Sequence, residues 1–188
     1  MQSLPLPYEF IARAAIATAK SGFAEMTAIR DDCDFTFPNP NRKNDGTSRI
    51  CIGYLIPYVH FHSLPIILKE IVEGHDREKF EVVGYCPGSP NSSDFSRDYI
   101  EAFDNVVFGN GSDRIIAENI YRDGVDILID VAGQTLRDCM SVNALRPAPV
   151  IAHFLGYSIT TGADYIDYLI TDEIYLPSED AELGPEAT

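Results

Sequence analysis

The sequence is poor in positive charge and has no long apolar run. It contains 14 lysines and arginines against 29 aspartates and glutamates, which gives a formal net charge of −15 at pH 7. A surface with this charge repels phosphate backbones and anionic lipids, so the composition argues against nucleic acid or an anionic membrane as a partner. No apolar run approaches the roughly 18 residues that a membrane-spanning helix needs.

The sequence has no closely spaced pair of cysteines, and its N-terminal pattern does not predict a leader sequence. Cys33, Cys51, Cys86 and Cys139 include no Cys-x-x-Cys pair, so neither a zinc nor a redox motif is indicated. The N-terminus has no basic start, and Glu9 interrupts its first apolar stretch, which is atypical of a secretory signal peptide. Free thiols without a leader predict a cytoplasmic or nuclear protein.

Three common motifs of nucleotide and ester chemistry are absent. Residues 109–111 form Gly-Asn-Gly before a predicted helix, but Arg114 stands where a dinucleotide fingerprint has its third glycine. The chain contains no Gly-x-x-x-x-Gly-Lys-Ser/Thr and no Gly-x-Ser-x-Gly stretch. These absences argue against a Walker nucleotide site, a serine hydrolase of the elbow type and a complete dinucleotide site.

The residues that are present predict one globular domain with flanking segments. A hydrophobic content of 45% in 188 residues suffices for one core. Residues 1–30 are predicted to be a helical segment and residues 31–48, rich in Asp, Asn and Pro, a linker. Residues 49–176 are predicted to form the domain, and residues 177–188 an acidic, frayed tail. The apolar face of the N-terminal helix, predicted over residues 7–29, carries Ile11, Ala15, Ala19, Phe23 and Met26.

Within residues 49–176, short apolar runs alternate with helical patterns. Strands are predicted at residues 49–56, 80–86, 105–108, 125–131, 150–155 and 165–171. Helices are predicted at residues 64–73, 95–103, 113–122 and 137–145, with Ser63 and Ser112 as N-caps. Because the strands are mostly apolar on both faces, the pattern predicts an α/β fold, a Rossmann-like parallel sheet with helices on both faces.

Polar or glycine-rich sequence follows three of the predicted strands, at residues 57–63, 133–137 and 156–164. Because the carboxyl ends of parallel strands lie at the same edge of a sheet, we expect these three loops to share that edge. Ligands of open parallel sheets bind there. We expect Asp130, at a strand end, to cap backbone N–H groups. Arg146 is expected to hold loop carbonyl groups.

His62 directly precedes a predicted helix, whose free N–H groups suit an anion and beside which an imidazole can act as a base. The alternative is an ordinary loop histidine. His60 lies on the same side of an extended chain, but a metal site needs a third ligand and none is obvious, so no metal is predicted. Thr160 and Thr161 offer hydroxyls to a sugar or phosphate, or form a plain turn.

Residues 144–172 have the sequence ALRPAPVIAHFLGYSITTGADYIDYLITD. This stretch closely resembles the catalytic region of the O-linked N-acetylglucosamine transferase and Spindly-type protein O-glycosyltransferase family. The family pattern there is Leu-Arg-Pro-Ala-Pro, then Gly-Tyr-Pro-Gly-Thr-Thr-Gly, then an Asp-Tyr-Ile-like strand. Residues 49–54 resemble the family's Arg-Ile-Gly-Tyr element, and counting on from them places His62 on the family's histidine. The resemblance covers residues 49–176.

The resemblance implies the N-terminal lobe of a GT-B enzyme. Such an enzyme moves a sugar, usually N-acetylglucosamine from UDP-N-acetylglucosamine, to Ser or Thr of intracellular proteins, inverting the anomeric centre without a metal or organic cofactor. This chain would be the acceptor-side half, inactive without a second, donor-binding lobe, and tetratricopeptide repeats often accompany that architecture. Two alternatives remain within the resemblance, an O-fucosyltransferase of the Spindly type and a non-catalytic protein-binding module. A third is another Rossmann-like small-molecule enzyme.

The resemblance also implies a set of site residues. His62 would act at the reacting hydroxyl, as a base or as a positioning group. The implied substrate-binding residues are Gly133, Gln134, Thr135, Gly156, Tyr157, Thr160, Thr161 and Gly162. The chain departs from the family pattern at three places: Gln134 replaces His or Tyr, residues 58–59 replace Asp-Phe, and residues 158–159 replace Pro-Gly.

Overall fold

The computed structural model describes residues 12–19, 33–40, 42, 48–60, 62–90, 92–135, 139–156, 160–174, 176 and 185–186. Residues 12–19 are helical and form α1. The elements that follow are β1 Ile50–Leu55, α2 Ser63–Glu73, β2 Phe80–Cys86, α3 Asp94–Glu101, β3 Asn105–Phe108, α4 Asp113–Arg122, β4 Ile127–Asp130, α5 Met140–Ala144, β5 Val150–Phe154 and β6 Tyr168–Ile170. None of the helices in these ranges is long and apolar enough to cross a membrane.

The six strands form one parallel sheet in the order β3-β2-β1-β4-β5-β6. The predicted parallel α/β sheet is thus confirmed, and β2 and β3 have the predicted bounds. Strand β4 is shorter than the predicted 125–131, because Val125 is buried in the turn after α4 without joining the ladder. An apolar run in a sequence indicates which residues are buried, whereas the bounds of a strand are set by its hydrogen bonds. The predicted strand is therefore longer than β4.

Helices cover both faces of the sheet, as predicted. On one face, Ile52 of β1 and Ile129 of β4 share a core cluster with Leu68 of α2 and Tyr99 of α3. On the other face, strand residues pack with α1, α4 and α5 in a second cluster that includes Ala19, Cys51, Leu128, Ile116, Ile120 and Val142. Neighbouring residues such as Cys51 and Ile52 alternate between the clusters because successive strand side chains point to opposite faces.

Helix α2 begins one residue earlier than its pattern predicts, and its cap is a different residue. Ser63 is already helical, so the predicted Ser63 cap is wrong. The N-cap is His62, which has extended backbone (φ −161°, ψ 160°) and accepts the Leu64 N–H at its ring nitrogen Nδ1. The predicted cap of α4 is confirmed, since the Ser112 hydroxyl accepts the Ile115 N–H.

Three aspartates close the amino edge of the sheet. Asp104, Asp126 and Asp167 directly precede β3, β4 and β6, and each carboxylate accepts a backbone N–H from the neighbouring strand. The donors are Val82 at 2.7 Å, Cys51 at 2.8 Å and Ile151 at 2.8 Å, in the same order. The N–H groups at the starts of β1, β2 and β5 thereby find partners, which assigns this edge a structural role.

Each of these carboxylates is paired with an arginine. The partners of Asp104, Asp126 and Asp167 are Arg77, Arg42 and Arg146, with N···O distances of 2.9, 2.7 and 2.9 Å. Arg146 also donates to the backbone carbonyls of Tyr165 and Pro149, which confirms the role expected for it.

The described part of residues 31–48 packs against α4. Phe35 stacks on Tyr121 with ring centroids 4.6 Å apart, and the Asn39 amide donates to the Tyr121 carbonyl at 2.6 Å. Arg42 extends this contact to Asp126 at the amino edge. The predicted segment boundaries stay predictions, but this stretch lies on the domain rather than away from it.

Candidate active site

The carboxyl edge of the sheet contains the point where its topology changes direction. From β1 the chain proceeds outward through β2 and β3, and from β4 it proceeds outward in the opposite direction through β5 and β6. Leu55, Asp130 and His153 are register partners at the ends of β1, β4 and β5. The three loops predicted to share one edge therefore do so, and a ligand crevice is expected between the loops that follow β1 and β4.

Asp130 fixes the start of the loop after β4. Its fully buried carboxylate accepts the N–H groups of Ala132 and Gly133 at 3.0 and 3.1 Å, which confirms its predicted capping role. Gly133 has φ of 55°, a left-handed conformation that glycine adopts without strain. His153 is fully buried, and its Nδ1 lies 3.0 Å from the Asp130 carbonyl oxygen, as expected of a core histidine.

Gln134 connects the loop after β4 to two other parts of the chain. Its amide donates to the backbone carbonyl of Ala15 in α1 at 3.0 Å and to that of Thr161 in the loop after β5. Helix α1 therefore lies directly on the carboxyl edge. The Gln134 side chain, implied to bind substrate, supports the shape of this edge through these contacts.

The two threonines of the loop after β5 are buried and bonded to a residue that sequence reasoning missed. One Glu186 oxygen accepts from the Thr160 hydroxyl at 2.5 Å, and the other accepts from the Thr161 N–H at 2.8 Å and from the Thr161 hydroxyl. The same hydroxyls accept the Gly162 and Ala163 N–H groups. No local pattern in the acidic tail distinguishes Glu186, so the sequence carried no signal for this contact.

Two predicted site residues are glycines because backbone passes close to them. A Cβ on Gly156 would lie 2.0 Å from the Val131 carbonyl oxygen in the loop after β4. Gly162 has φ of 70°, and a Cβ there would lie 2.3 Å from the Ile16 N atom of α1. A side chain at Gly156 would push the two loops apart, and one at Gly162 would push the loop after β5 away from α1. Tyr157, also predicted for the site, lies outside the described residues.

His62 is exposed and lies where the loop after β1 enters α2. Its Nδ1 is 3.3 Å from the Leu64 N atom and 3.2 Å from the Tyr58 hydroxyl oxygen. The Tyr58 ring meets the His62 ring edge to face at a centroid distance of 5.0 Å and stacks with the His60 ring at 4.6 Å. His62 thus belongs to an exposed aromatic cluster formed with Tyr58 and His60.

A buried serine anchors this loop. Ser96 of α3 is fully buried, and its hydroxyl donates to the Val59 carbonyl at 2.5 Å. The Ser93 hydroxyl, which caps α3, lies 2.7 Å from the Ser96 hydroxyl. Sequence reasoning missed Ser96, because nothing local distinguishes it from an exposed helical serine.

The predicted site residues therefore form two groups in the described ranges. Gln134 and Thr161 are hydrogen-bonded to each other, whereas the hydrogen-bond partners described for the His62 ring are Tyr58 and Leu64. Among the residues that the structure describes, no three His, Cys, Asp or Glu side chains are placed to share a metal ion.

Comparison with known proteins identifies relatives of this chain. Its residues 2–186 match the profile of glycosyl transferase family 41. The probable UDP-N-acetylglucosamine–peptide N-acetylglucosaminyltransferase SEC of Arabidopsis thaliana is 32% identical over 155 residues, which cover 81% of this chain and 16% of that protein. The UDP-N-acetylglucosamine–peptide N-acetylglucosaminyltransferase of Caenorhabditis elegans is 33% identical over 134 residues, covering 69% of this chain and 11% of that protein.

A solved structure has the same fold. A mutant of the O-GlcNAc transferase of Thermobaculum terrenum matches with a TM-score of 0.71 and 29% identity, over 82% of this chain and 29% of that one. The chain thus spans only a small part of the length of the relatives it matches. The resemblance drawn from the Arg-Pro-Ala-Pro stretch is confirmed, and the chain belongs to glycosyl transferase family 41.

Proposed function

We propose that this chain is the acceptor-side lobe of an inverting glycosyltransferase that moves N-acetylglucosamine from UDP-N-acetylglucosamine to Ser or Thr of proteins. The observation that carries the proposal is the change of direction in the strand order at the carboxyl edge, between the loops that hold His62 and Gly133, in a chain of family 41. The names of the Arabidopsis and Caenorhabditis relatives support the choice of sugar, donor and peptide acceptor.

In this reaction the acceptor hydroxyl oxygen bonds to the anomeric carbon as the bond from that carbon to the phosphate oxygen breaks. The nucleoside diphosphate leaves with the bonding electron pair, and the hydroxyl proton passes to a histidine, a carboxylate or a phosphate oxygen. Catalysis requires the hydroxyl to be held in line with the breaking bond. We assign that positioning to His62 and the walls of the crevice to the loops after β4 and β5.

In this proposal the sugar-binding surface is formed mainly by the backbone of the loops rather than by their side chains. Gly133, Gln134 and Thr135 form one wall, and Gly156 with residues 160–162 forms the other. Because Glu186 engages the hydroxyls of Thr160 and Thr161, these two residues are proposed to act by holding the loop rather than by binding sugar.

We propose that a second lobe holds the donor's diphosphate and that the 188-residue chain alone transfers no sugar. A departing diphosphate needs cationic groups or aimed N–H donors, and the three loops at the carboxyl edge, residues 57–63, 133–137 and 156–164, contain a single lysine or arginine, Arg137. The much greater length of the relatives leaves room for such a lobe and for tetratricopeptide repeats.

The test compares sugar transfer to a Ser/Thr peptide by the complete protein that contains these residues with transfer by its His62→Asn and His62→Ala variants. Asparagine also caps helices well, so His62→Asn removes the imidazole while keeping the start of α2. We expect both variants to lose most of the transfer rate. Full activity of folded His62→Asn would remove His62 from the mechanism, and absence of transfer by the unmodified protein would refute the enzyme proposal.

A second candidate, a non-catalytic protein-binding module, is favoured by the engagement of both threonine hydroxyls within the chain. Calorimetric titration of the complete protein with UDP-N-acetylglucosamine, GDP-fucose and a Ser/Thr peptide separates the candidates. Peptide binding without either nucleotide sugar supports the module, and GDP-fucose binding alone supports the fucosyltransferase alternative.

We further propose that the transfer needs no metal or organic cofactor and takes place in the cytoplasm or nucleus. The family pattern supports the first statement, and the second is supported by the four cysteines, none of which is in a disulfide. Transfer that survives excess EDTA would agree with metal independence, and loss that added divalent cation restores would contradict it.

A further inference from the structure

We propose that Tyr58 and the start of helix α2 hold His62 in the neutral tautomer with its hydrogen on Nε2. In that form His62 meets the acceptor as a hydrogen-bond donor, not as the group that takes the proton. The identity of the acceptor rests on the proposed function, whereas the tautomer is a property of this chain and is measured without any substrate.

The first argument is the helix cap. The first N–H groups of an α-helix have no partner within the helix and need one from outside. The Leu64 N–H finds its partner in Nδ1 of His62, 3.3 Å away. Only a ring nitrogen with a free lone pair can accept this bond, so a hydrogen on Nδ1 would face the Leu64 hydrogen and remove the cap.

The second argument is the tyrosine. The Tyr58 hydroxyl oxygen lies 3.2 Å from the same nitrogen and can donate its hydrogen there. The stacking of Tyr58 with His60 and its edge-to-face contact with His62 restrict the tyrosine ring, which keeps the hydroxyl beside Nδ1. Two donors on one nitrogen favour the tautomer in which that nitrogen carries no hydrogen.

The other tautomer, with its hydrogen on Nδ1, would leave one hydrogen-bond donor without a partner. With hydrogen on Nδ1, the ring could donate to the Tyr58 oxygen, but the Leu64 N–H would lose its acceptor. An unmade hydrogen bond at a helix start is unfavourable. The hydroxyl of Tyr58 can rotate to donate or to accept, whereas the backbone N–H can only donate, so the helix sets which tautomer is preferred and the tyrosine strengthens that preference.

The consequence for the reaction concerns the other ring nitrogen. Because Nδ1 faces the chain's own donors, Nε2 is left to meet a substrate, and it already carries a hydrogen. It can donate to the oxygen of the acceptor hydroxyl and so orient it. Of the proton acceptors named for the transfer, a carboxylate or a phosphate oxygen then remains. Tyr58, which stands where the family pattern differs, is a positioning residue for His62.

Nitrogen NMR of the uniformly 15N-labelled 188-residue chain tests the tautomer directly. Long-range 1H–15N spectra at pH 8.5 distinguish protonated from non-protonated imidazole nitrogens, and His62→Asn assigns the His62 signals by their loss. We expect a large excess of the form with Nδ1 non-protonated and Nε2 protonated. A majority of the Nδ1–H form, or equal populations, would overturn the proposal.

Tyr58→Phe tests the positioning role, because it removes the hydroxyl and retains the ring contacts. We expect the Nδ1 signal of His62 to move and the excess of the Nε2–H form to fall. Tyr168→Phe is the matched control, an exposed tyrosine on the sheet edge that should leave the His62 signals unchanged. Identical His62 spectra for the natural chain and folded Tyr58→Phe would overturn the role of Tyr58.

The proposed function and the proposed tautomer can be refuted independently of each other. The expected tautomer in a chain whose complete protein transfers no sugar would refute the proposed function and leave this inference standing. Sugar transfer together with a dominant Nδ1–H form would retain the function and overturn the inference.

Discussion

At the scale of single residues, one side chain combines a structural and a proposed catalytic role. The Nδ1 atom of His62 caps α2, and the opposite ring nitrogen is left for a substrate. A substitution at this position therefore changes the start of a helix as well as the chemistry. Loss of activity in an alanine variant would not by itself separate the two effects.

The cap of α2 leads to a stability prediction. His62→Ala should lower the free energy of unfolding by about 0.5–2 kcal/mol, the usual value for an N-cap removed from a helix. His62→Asn should recover most of the loss, because its side-chain oxygen can accept the same N–H. Urea denaturation of both variants followed by circular dichroism measures the difference. Equal destabilisation by Ala and Asn would contradict the capping role.

For Asn143 in α5 we predict a substitution that stabilises the fold. Its side chain is fully buried, and neither its Nδ2 nor its Oδ1 atom has a hydrogen-bond partner among the residues that the structure describes. Burying such a group costs about 1–3 kcal/mol. Asn143→Leu, which has the same number and branching of side-chain heavy atoms, should therefore raise the free energy of unfolding by up to about 1–3 kcal/mol, measured as a higher unfolding midpoint in urea.

The matched control is Asn39, which is also buried but whose amide donates to the Tyr121 carbonyl at 2.6 Å. Asn39→Leu should lower the unfolding midpoint, because it leaves that carbonyl without its donor. If both leucine variants shifted the midpoint in the same direction, unsatisfied polarity would not explain the Asn143 effect.

At the scale of secondary-structure elements, carboxylates have different tasks at the two edges of the sheet. At the amino edge, aspartates paired with arginines satisfy strand N–H groups and close the edge. At the carboxyl edge, Asp130 and Glu186 bind loop N–H and hydroxyl groups without a described arginine partner and so fix the loops. The second arrangement fixes loops rather than strands, which is where a ligand would bind.

Removal of Glu186 should loosen the loop after β5. Glu186→Ala leaves the Thr161 N–H and the hydroxyls of Thr160 and Thr161 without their acceptor in a buried place, and should cost about 2–4 kcal/mol. Native-state hydrogen exchange should show the largest loss of protection at the amides of residues 161–163.

Two further variants serve as controls for Glu186→Ala. Glu186→Gln keeps the shape and one acceptor oxygen, so its loss of protection should be smaller than that of alanine. Glu173→Ala removes an exposed glutamate from the segment after β6 and should leave the loop protected. Uniform loss of protection over the whole domain in Glu186→Ala would indicate a general rather than a local role.

At the scale of the whole molecule, one sheet with two hydrophobic layers buries several titratable side chains. Burial raises the pKa of Tyr54 to about 12, against the opposing effect of Arg77. Burial, reinforced by Glu81 and Asp126, raises the pKa of Cys51 to about 12. Burial also raises the pKa values of Tyr85 and Tyr99. The native fold therefore depends on these groups staying protonated.

These shifts predict loss of stability in alkali. A group whose pKa is higher in the folded state holds its proton more tightly there, so its contribution is complete below its unfolded pKa. It is lost as pH rises from about 9 for cysteine or 10 for tyrosine toward the folded value. For Tyr54, a shift of this size corresponds to roughly 2–3 kcal/mol. Urea unfolding at pH 7 to 11 should show this decline.

Tyrosinate absorbance at 295 nm provides an independent measurement. Tyr54, Tyr85 and Tyr99, whose pKa values burial raises, should ionise only together with unfolding. Tyr54→Phe should reduce the alkaline loss of stability. Smooth ionisation of all ten tyrosines near pH 10 in the folded chain would contradict the predicted burial.

The sequence by itself determined the architecture and the edge on which the candidate site lies. Short apolar runs alternating with capped helices leave few solutions other than a parallel sheet with helices on both faces. In such a sheet the loops after successive strands must share one edge. The caps at Ser112 and Asp130 were also predictable, because a cap involves residues only two or three positions apart.

Only the tertiary structure decided how that edge is held together. Gln134 meets Ala15, and Thr161 meets Glu186, across long separations in sequence that leave no periodic pattern to recognise. The engagement of both threonine hydroxyls and the orientation of the His62 ring likewise depend on which atoms lie close in space. Periodicity and propensity describe a residue's immediate neighbours along the chain, whereas hydrogen-bond partners at a loop edge are set by the packing of the whole domain.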